Sequence, residues 1–169
     1  MSEVSILGIT VRFRNSFSNV VAVENLTNTL TIVLPEHSAA ISQIAVVPPL
    51  WLGDKPEYAG GGSAAGYPRL SELCFDRRDR PNNFPKNLTL LHEIGHILQN
   101  RFYCLANLTP ADRATLTRVP IPENARTHGP GEHYAIAYQQ VMVGTASPAV
   151  RSAVFSSRAF AGVDTTSIP

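Results

Sequence analysis

Lysine, cysteine and tryptophan are scarce in this chain of 169 residues, at two, two and one, and charged residues of all kinds make up only 16%. Basic and acidic side chains nearly cancel, 14 against 13, for a formal charge of +1. With no surplus of one sign, nothing attracts the chain electrostatically to nucleic acid or to a charged membrane surface. The two cysteines, Cys74 and Cys104, cannot build a disulfide scaffold and form no CxxC pair; they read as buried thiols, with one bridge as the alternative in an oxidising compartment. Long apolar runs are missing as well. The most apolar uncharged one, residues 38–53, has 16 residues and carries Pro48 and Pro49, whereas a membrane span needs roughly 20. Residues 1–4 lack a basic segment leading into an apolar one, so no secretory signal is expected there. The chain then reads either as a cytoplasmic protein or as part of a larger protein delivered by another route.

What is present suffices for a core: 44% of the residues are hydrophobic, in a length typical of one domain. A single domain over residues 1–169 is expected. In the first 50 residues, β-branched runs at 4–14, 20–23, 30–34 and 44–47 predict strands of a small sheet. Residues 48–67, with Pro48-Pro49, Pro56 and the Gly60–Gly62 triplet, predict a loop. Residues 70–75 predict a further strand. From Asn87 the period becomes helical: Leu88, Leu91, Gly95, Leu98 and Phe102 share one flank, and Asn87 is a suitable N-cap. This predicts a helix over 88–103. Thr109-Pro110 starts a short second helix, residues 132–143 form a largely buried one, and Ser147-Pro148 starts a last one. Strands followed by helices make an α+β domain. Three Asn-Leu-Thr triplets, at Asn25, Asn87 and Asn107, are read as turn and cap residues rather than glycosylation sites.

The segment that carries chemistry is His92-Glu93-Ile94-Gly95-His96. Positions four apart project from one face of a helix, so both imidazoles can reach one cation. Neutral imidazole ligates Zn²⁺ well, and a catalytic zinc site takes three protein ligands and a water. Glu93 lies beside this clamp, where its carboxylate can take a proton from that water and pass it to a leaving amine. With five His and eight Glu in the chain, the pattern arises by chance about once in 150 such sequences, so it carries weight. Gly95, costly in a helix, suggests close approach by backbone or substrate. The competing reading is an amphipathic helix with two ordinary hydrogen-bonded histidines.

These residues resemble the HExxH zinc metallopeptidases, the zincins. The resemblance implies a zincin-like fold, a zinc cofactor, a protein or peptide substrate, and a strand before the helix that lines the cleft, here 70–75. The extended metzincin motif is absent, because Gln99 and Phe102 stand where it has Gly and His. Glu132-His133-Tyr134-Ala135-Ile136-Ala137-Tyr138 is similar to the ligand helix of toxin-type gluzincins, which makes Glu132 the implied third ligand. His133, His128 and Glu123 remain alternatives. An oxyanion donor is also needed; His128 comes first, then Tyr134 and Tyr138. His37 is expected at the surface, and Met142 in the helix core rather than beneath the metal. The length and the Leu91–Leu98 context resemble metallopeptidase toxin domains appended to type VI secretion spike proteins of the VgrG kind, which implies a secreted or delivered effector. Competing functions are a deformylase-like amidase using Cys74 as ligand, and a non-catalytic zincin-like binding module. The loop from Trp51 to Tyr67 is the candidate for recognising substrate side chains.

Overall fold

The computed structural model describes residues 1–14, 20–60, 65–123 and 129–169. Strands β1 (Ser2–Ile6) and β2 (Ile9–Phe13) form an antiparallel hairpin. Its turn residues, Leu7 and Gly8, both have positive φ, the backbone geometry that matches the twist of the strands it joins. Strand β3 (Gln43–Val47) runs parallel to β2 and is reached through helix α1 (Val20–Ile32) and the short helix α2 (Pro35–Ser38). Strands β4 (Leu50–Leu52) and β5 (Lys55–Glu57) make a separate two-stranded hairpin. Strands β6 (Ala59–Gly60) and β7 (Arg69–Ser71) complete the main sheet in the order β1-β2-β3-β7-β6. Helices α3 (Leu88–Phe102), α4 (Pro110–Thr117), α5 (Gly131–Val143) and α6 (Pro148–Phe155) follow. The domain is thus α+β, and Val11, Phe13, Ile44 and Leu70 of the sheet share one buried core with Leu26, Ile94, Tyr138 and Val154 of the helices.

Two strand expectations fail here. Residues 20–23 and 30–34 belong to or follow α1, whose buried positions Ala22, Asn25, Leu26, Thr29 and Leu30 recur with helical period. Two of these five are polar, which breaks the apolar stripe and leaves only β-branched runs visible. Both are satisfied by distant partners. The Asn25 amide donates to the carbonyls of Asn83 (2.7 Å) and Pro85 (3.2 Å), and its carbonyl accepts from the Asn87 amide at 2.8 Å. The Thr29 hydroxyl accepts from the Asn87 backbone N–H at 2.7 Å. Asn25 is therefore a buried tie within a helix, not a turn residue. Asn87 is the N-cap expected, accepting from Leu90 N–H at 2.9 Å, and Asn107 lies in a turn. The expected loop over 48–67 contains β4, β5 and β6, and the expected strand over 70–75 is strand only to Ser71, continuing as a 3₁₀ turn at Glu72–Phe75.

Both cysteines are free and buried, so the bridged alternative is excluded. Met142 is buried in the core as expected. His37 is not at the surface. It is fully buried, with Nε2 2.7 Å from the Ala159 carbonyl and Nδ1 3.1 Å from the Tyr138 hydroxyl. A carbonyl only accepts, so Nε2 carries the proton and Nδ1 accepts from the tyrosine; the neutral ring is fully satisfied. Burial lowers its pKa from the ordinary 6.5, against smaller opposing effects of the Ala159 carbonyl and Glu36. A group whose folded pKa is depressed favours the folded state most where both states are neutral, above the unfolded value, and that contribution is lost as pH falls through it. We expect urea stability to drop between pH 7.5 and 5 more steeply in the wild type than in His37→Gln; equal slopes would show that His37 does not control this range.

Candidate metal centre

Helix α3 begins at the Asn87 cap and buries Leu90, Leu91, Ile94, Ile97 and Leu98 against the core, which turns His92 and His96 together toward a half-exposed face. Their Nε2 atoms lie 3.1 Å apart, with the rings edge to face. The third member comes from α5. Glu132, the second residue of that helix and only 7% exposed, lies with Oε2 3.1 Å from His92 Nε2 and Oε1 2.7 Å from His96 Nε2.

A close helix crossing brings the three together. A Cβ added at Gly95 would sit 2.7 Å from the Ala135 Cα, so only glycine lets the α3 backbone approach α5 this closely. Ala135 follows Glu132 by three residues, almost one turn, so the contact that fixes the crossing also fixes the carboxylate. Further along α3, Gln99 and His96 Nδ1 lie 3.5 and 3.8 Å from the corresponding point at Gly131. The cost of Gly95 noted from sequence is thus explained by a neighbouring backbone.

Burial alone would raise the pKa of Glu132, but hydrogen bonds and charge from His92 and His96 outweigh it and hold the carboxyl well below the usual carboxylate range. Burial likewise pulls the His96 pKa down, yet the Glu132 carboxylate, with a smaller part from Glu93, makes the net direction upward. A carboxylate ionised at neutral pH and two imidazoles converge, with their donor atoms all within 4.8 Å of one another. Donors arranged tetrahedrally around an ion at ~2.0–2.1 Å are roughly 3.3–3.4 Å apart. The observed separations are shorter, 2.7–3.1 Å, with the two histidines facing different oxygens of Glu132, so the donors have to open by a few tenths of an ångström to admit an ion. Two nitrogens and a carboxylate oxygen can hold a metal ion, and three protein donors leave a coordination position open.

Glu93 lies one residue along α3 from His92, is 8% exposed and is close enough for its charge to act on His96. Among the described residues, the alternatives His133 and Glu123 do not join the group. His133 Nδ1 is bound to the Val119 carbonyl at 2.8 Å, and Glu123 is exposed. Cys74 lies outside the group too: its thiol donates to the Tyr58 carbonyl at 3.1 Å, and burial pushes its pKa up to about 11. That removes the ligand the deformylase-like reading needs. His128 lies outside the described residues. Tyr134 and Tyr138 are fully buried, their hydroxyls bonded to Ser157 Oγ (2.8 Å) and His37 (3.1 Å), so neither serves as an oxyanion donor. Their role is core packing.

The strand beside α3 also differs from expectation. Strand β7 is covered by β6 on its outer side, so the edge of the sheet is Ala59–Gly60, which contacts α3. A two-residue strand in a glycine-rich stretch leaves no alternation to read. A groove of about 610 Å³ lies between the end of α4 and the start of α5, lined by Arg118, Ile121, Pro130 and His133 among others; none of the three donors lines it.

Fold and site together define an α+β domain with a three-donor candidate metal centre. Compared with family models, curated proteins and solved structures, the chain matches none of them. Its chemistry is therefore read from its own residues.

Proposed function

We propose that the protein is a zinc-dependent endopeptidase in which His92, His96 and Glu132 hold the ion and Glu93 is the general base and acid. The observation that carries this reading is the convergence of an HExxH pair and a later helix's carboxylate on one point, with a second carboxylate buried alongside. A zinc ion held there supplies Lewis acidity toward water and the scissile carbonyl. Glu93 accepts the proton of the attacking water and delivers it to the departing amine. Its low exposure keeps bulk water from competing for that proton. His128, four residues before Glu132 in the chain, is the proposed oxyanion donor. The β6 edge, which contacts α3, is the surface proposed for an extended peptide. The resemblance in the Leu91–Leu98 context supports a bacterial toxin or effector domain of a larger secreted protein.

The test is direct. Elemental analysis of zinc-loaded protein should give one zinc per chain, and oxidised insulin B chain should be cleaved by it but not after chelation. Zinc at 100 times its dissociation constant should add about 2.7 kcal/mol, raising Tm by roughly 5–11 °C for a domain of this size. Failure to bind zinc, with no gain in Tm, would overturn the proposal; zinc bound without cleavage would favour a non-catalytic binding module.

A further inference from the structure

The β4–β5 hairpin is the most exposed apolar feature of the described residues. Leu50, Trp51 and Leu52 are 46%, 60% and 73% exposed and follow one another along β4. Successive strand residues point to opposite faces, so Leu50 and Leu52 present apolar surface on one side and Trp51 on the other. The hairpin is not loosely attached: Glu57 is paired with Arg69 of β7 at 3.4 Å, and Ser71 N–H donates to the Tyr58 carbonyl at 2.9 Å. Three exposed apolar residues on an anchored element invite a partner.

The backbone indicates which side is open. Trp51 stands opposite Pro56, flanked by the pairs Leu50↔Glu57 and Leu52↔Lys55. Proline has no N–H, so the Trp51–Pro56 pair cannot exchange ladder bonds, and the N–H and carbonyl of Trp51 face away from β5. Among the described residues β4 pairs with β5 alone. Its outer edge therefore offers a donor and an acceptor, whereas the outer edge of β5 at Pro56 offers an acceptor only. That is the arrangement an added strand uses, with alternate side chains packing on the apolar faces.

A membrane surface fits this hairpin poorly. Its turn is Gly53-Asp54, so the tip that would enter lipid first bears an acid, and with Glu57 paired to Arg69 and Lys55 beside Asp54 no positive surplus is left to hold anionic lipid. The hairpin also leads through Tyr58 into β6, the sheet edge that contacts α3. The hairpin is thereby joined, one residue away, to the strand beside α3.

We propose that β4 is a docking strand for an extended, apolar stretch of the protein substrate, which pairs with its outer edge at a distance from the bond to be cut. This rests on the peptidase reading for the identity of the occupant. Trp51 is the only tryptophan of the chain, so its fluorescence reports on the hairpin alone. The experiment titrates zinc-loaded Glu93→Gln protein, which leaves the peptide intact, with oxidised insulin B chain, itself free of tryptophan. Trp51 emission should shift to the blue, and Leu52→Ser or Leu50→Ser should raise the apparent dissociation constant at least about 5-fold. In otherwise wild-type protein the same changes should raise KM for insulin B chain while leaving kcat/KM for a blocked tripeptide unaltered. Absence of a blue shift overturns the proposal. So does a shift produced by phosphatidylcholine–phosphatidylglycerol vesicles, which would assign the hairpin to membranes, or by raising protein concentration alone, which would assign it to a second copy. If the wild type cleaves nothing yet the shift persists, the peptidase reading fails and the docking strand stands.

Discussion

Replacing Glu93 with Gln is expected to leave one zinc per chain and to lower kcat for peptide cleavage by about 10²–10⁴-fold, the usual contribution of a positioned general base. Glutamine keeps the volume of glutamate in a site that is 8% exposed, so packing against the rest of α3 is retained. It cannot accept a proton, and the step that generates the nucleophile loses its base. Because Glu93 lies beside the three donors rather than among them, zinc affinity should change little. Single-turnover cleavage of insulin B chain together with elemental analysis checks both halves. Full activity in this variant would remove Glu93 from the mechanism; loss of zinc would make it a supporting residue of the centre.

Gly95→Val is expected to be the most damaging single change outside the donors themselves. Even a bare Cβ at residue 95 meets the Ala135 Cα at 2.7 Å and the Ala135 carbonyl oxygen at 3.1 Å. These are backbone atoms, so no rotamer change relieves the contact and α5 must move away. Overpacking of this kind costs ~1–3 kcal/mol, and at about 2 kcal/mol a domain of this size loses roughly 4–8 °C in Tm. Since α5 carries Glu132, the same displacement should weaken zinc binding, by about 10-fold or more if the effect matches the loss of other supporting contacts. Ala135→Gly should not rescue it, because trimming that side chain leaves the backbone atoms in place. Gly95→Ala should be milder, since alanine recovers up to about 1 kcal/mol of helix propensity. Thermal unfolding and a zinc titration of the variants decide this. A Gly95→Val protein with unchanged Tm and zinc affinity would mean that the crossing adapts and does not define the centre.

The parts of this protein that could be read from residue order are those whose causes are local. Helix α3 carries its own period and its own cap in Asn87. Helices α4 and α6 begin where Thr109-Pro110 and Ser147-Pro148 supply a side-chain acceptor and a preset φ, and both hydroxyls accept as expected, from Asp112 and Val150 N–H. The spacing of His92 and His96 needed nothing beyond the helical repeat. The elements that were misread depend on distant partners. Helix α1 puts Asn25 and Thr29 on its buried face because Asn83, Pro85 and Asn87 come from elsewhere in the chain to satisfy them. His37 is buried for the same reason, with a neutral tautomer completed by Tyr138 and Ala159.

The third donor lies between these cases. A carboxylate at residue 132 is implied by likeness to a helix pattern, whereas its meeting with the two imidazoles depends on how closely two helix backbones approach. Residue order alone determined the paired imidazoles, the carboxylate beside them and the helix that presents them, because each follows from contacts within one turn. Only the tertiary structure decided which later residue joins them, which strand forms the open edge and which polar side chains are buried, because those outcomes depend on the packing of segments far apart in the chain, here on the space left at Gly95 for Ala135.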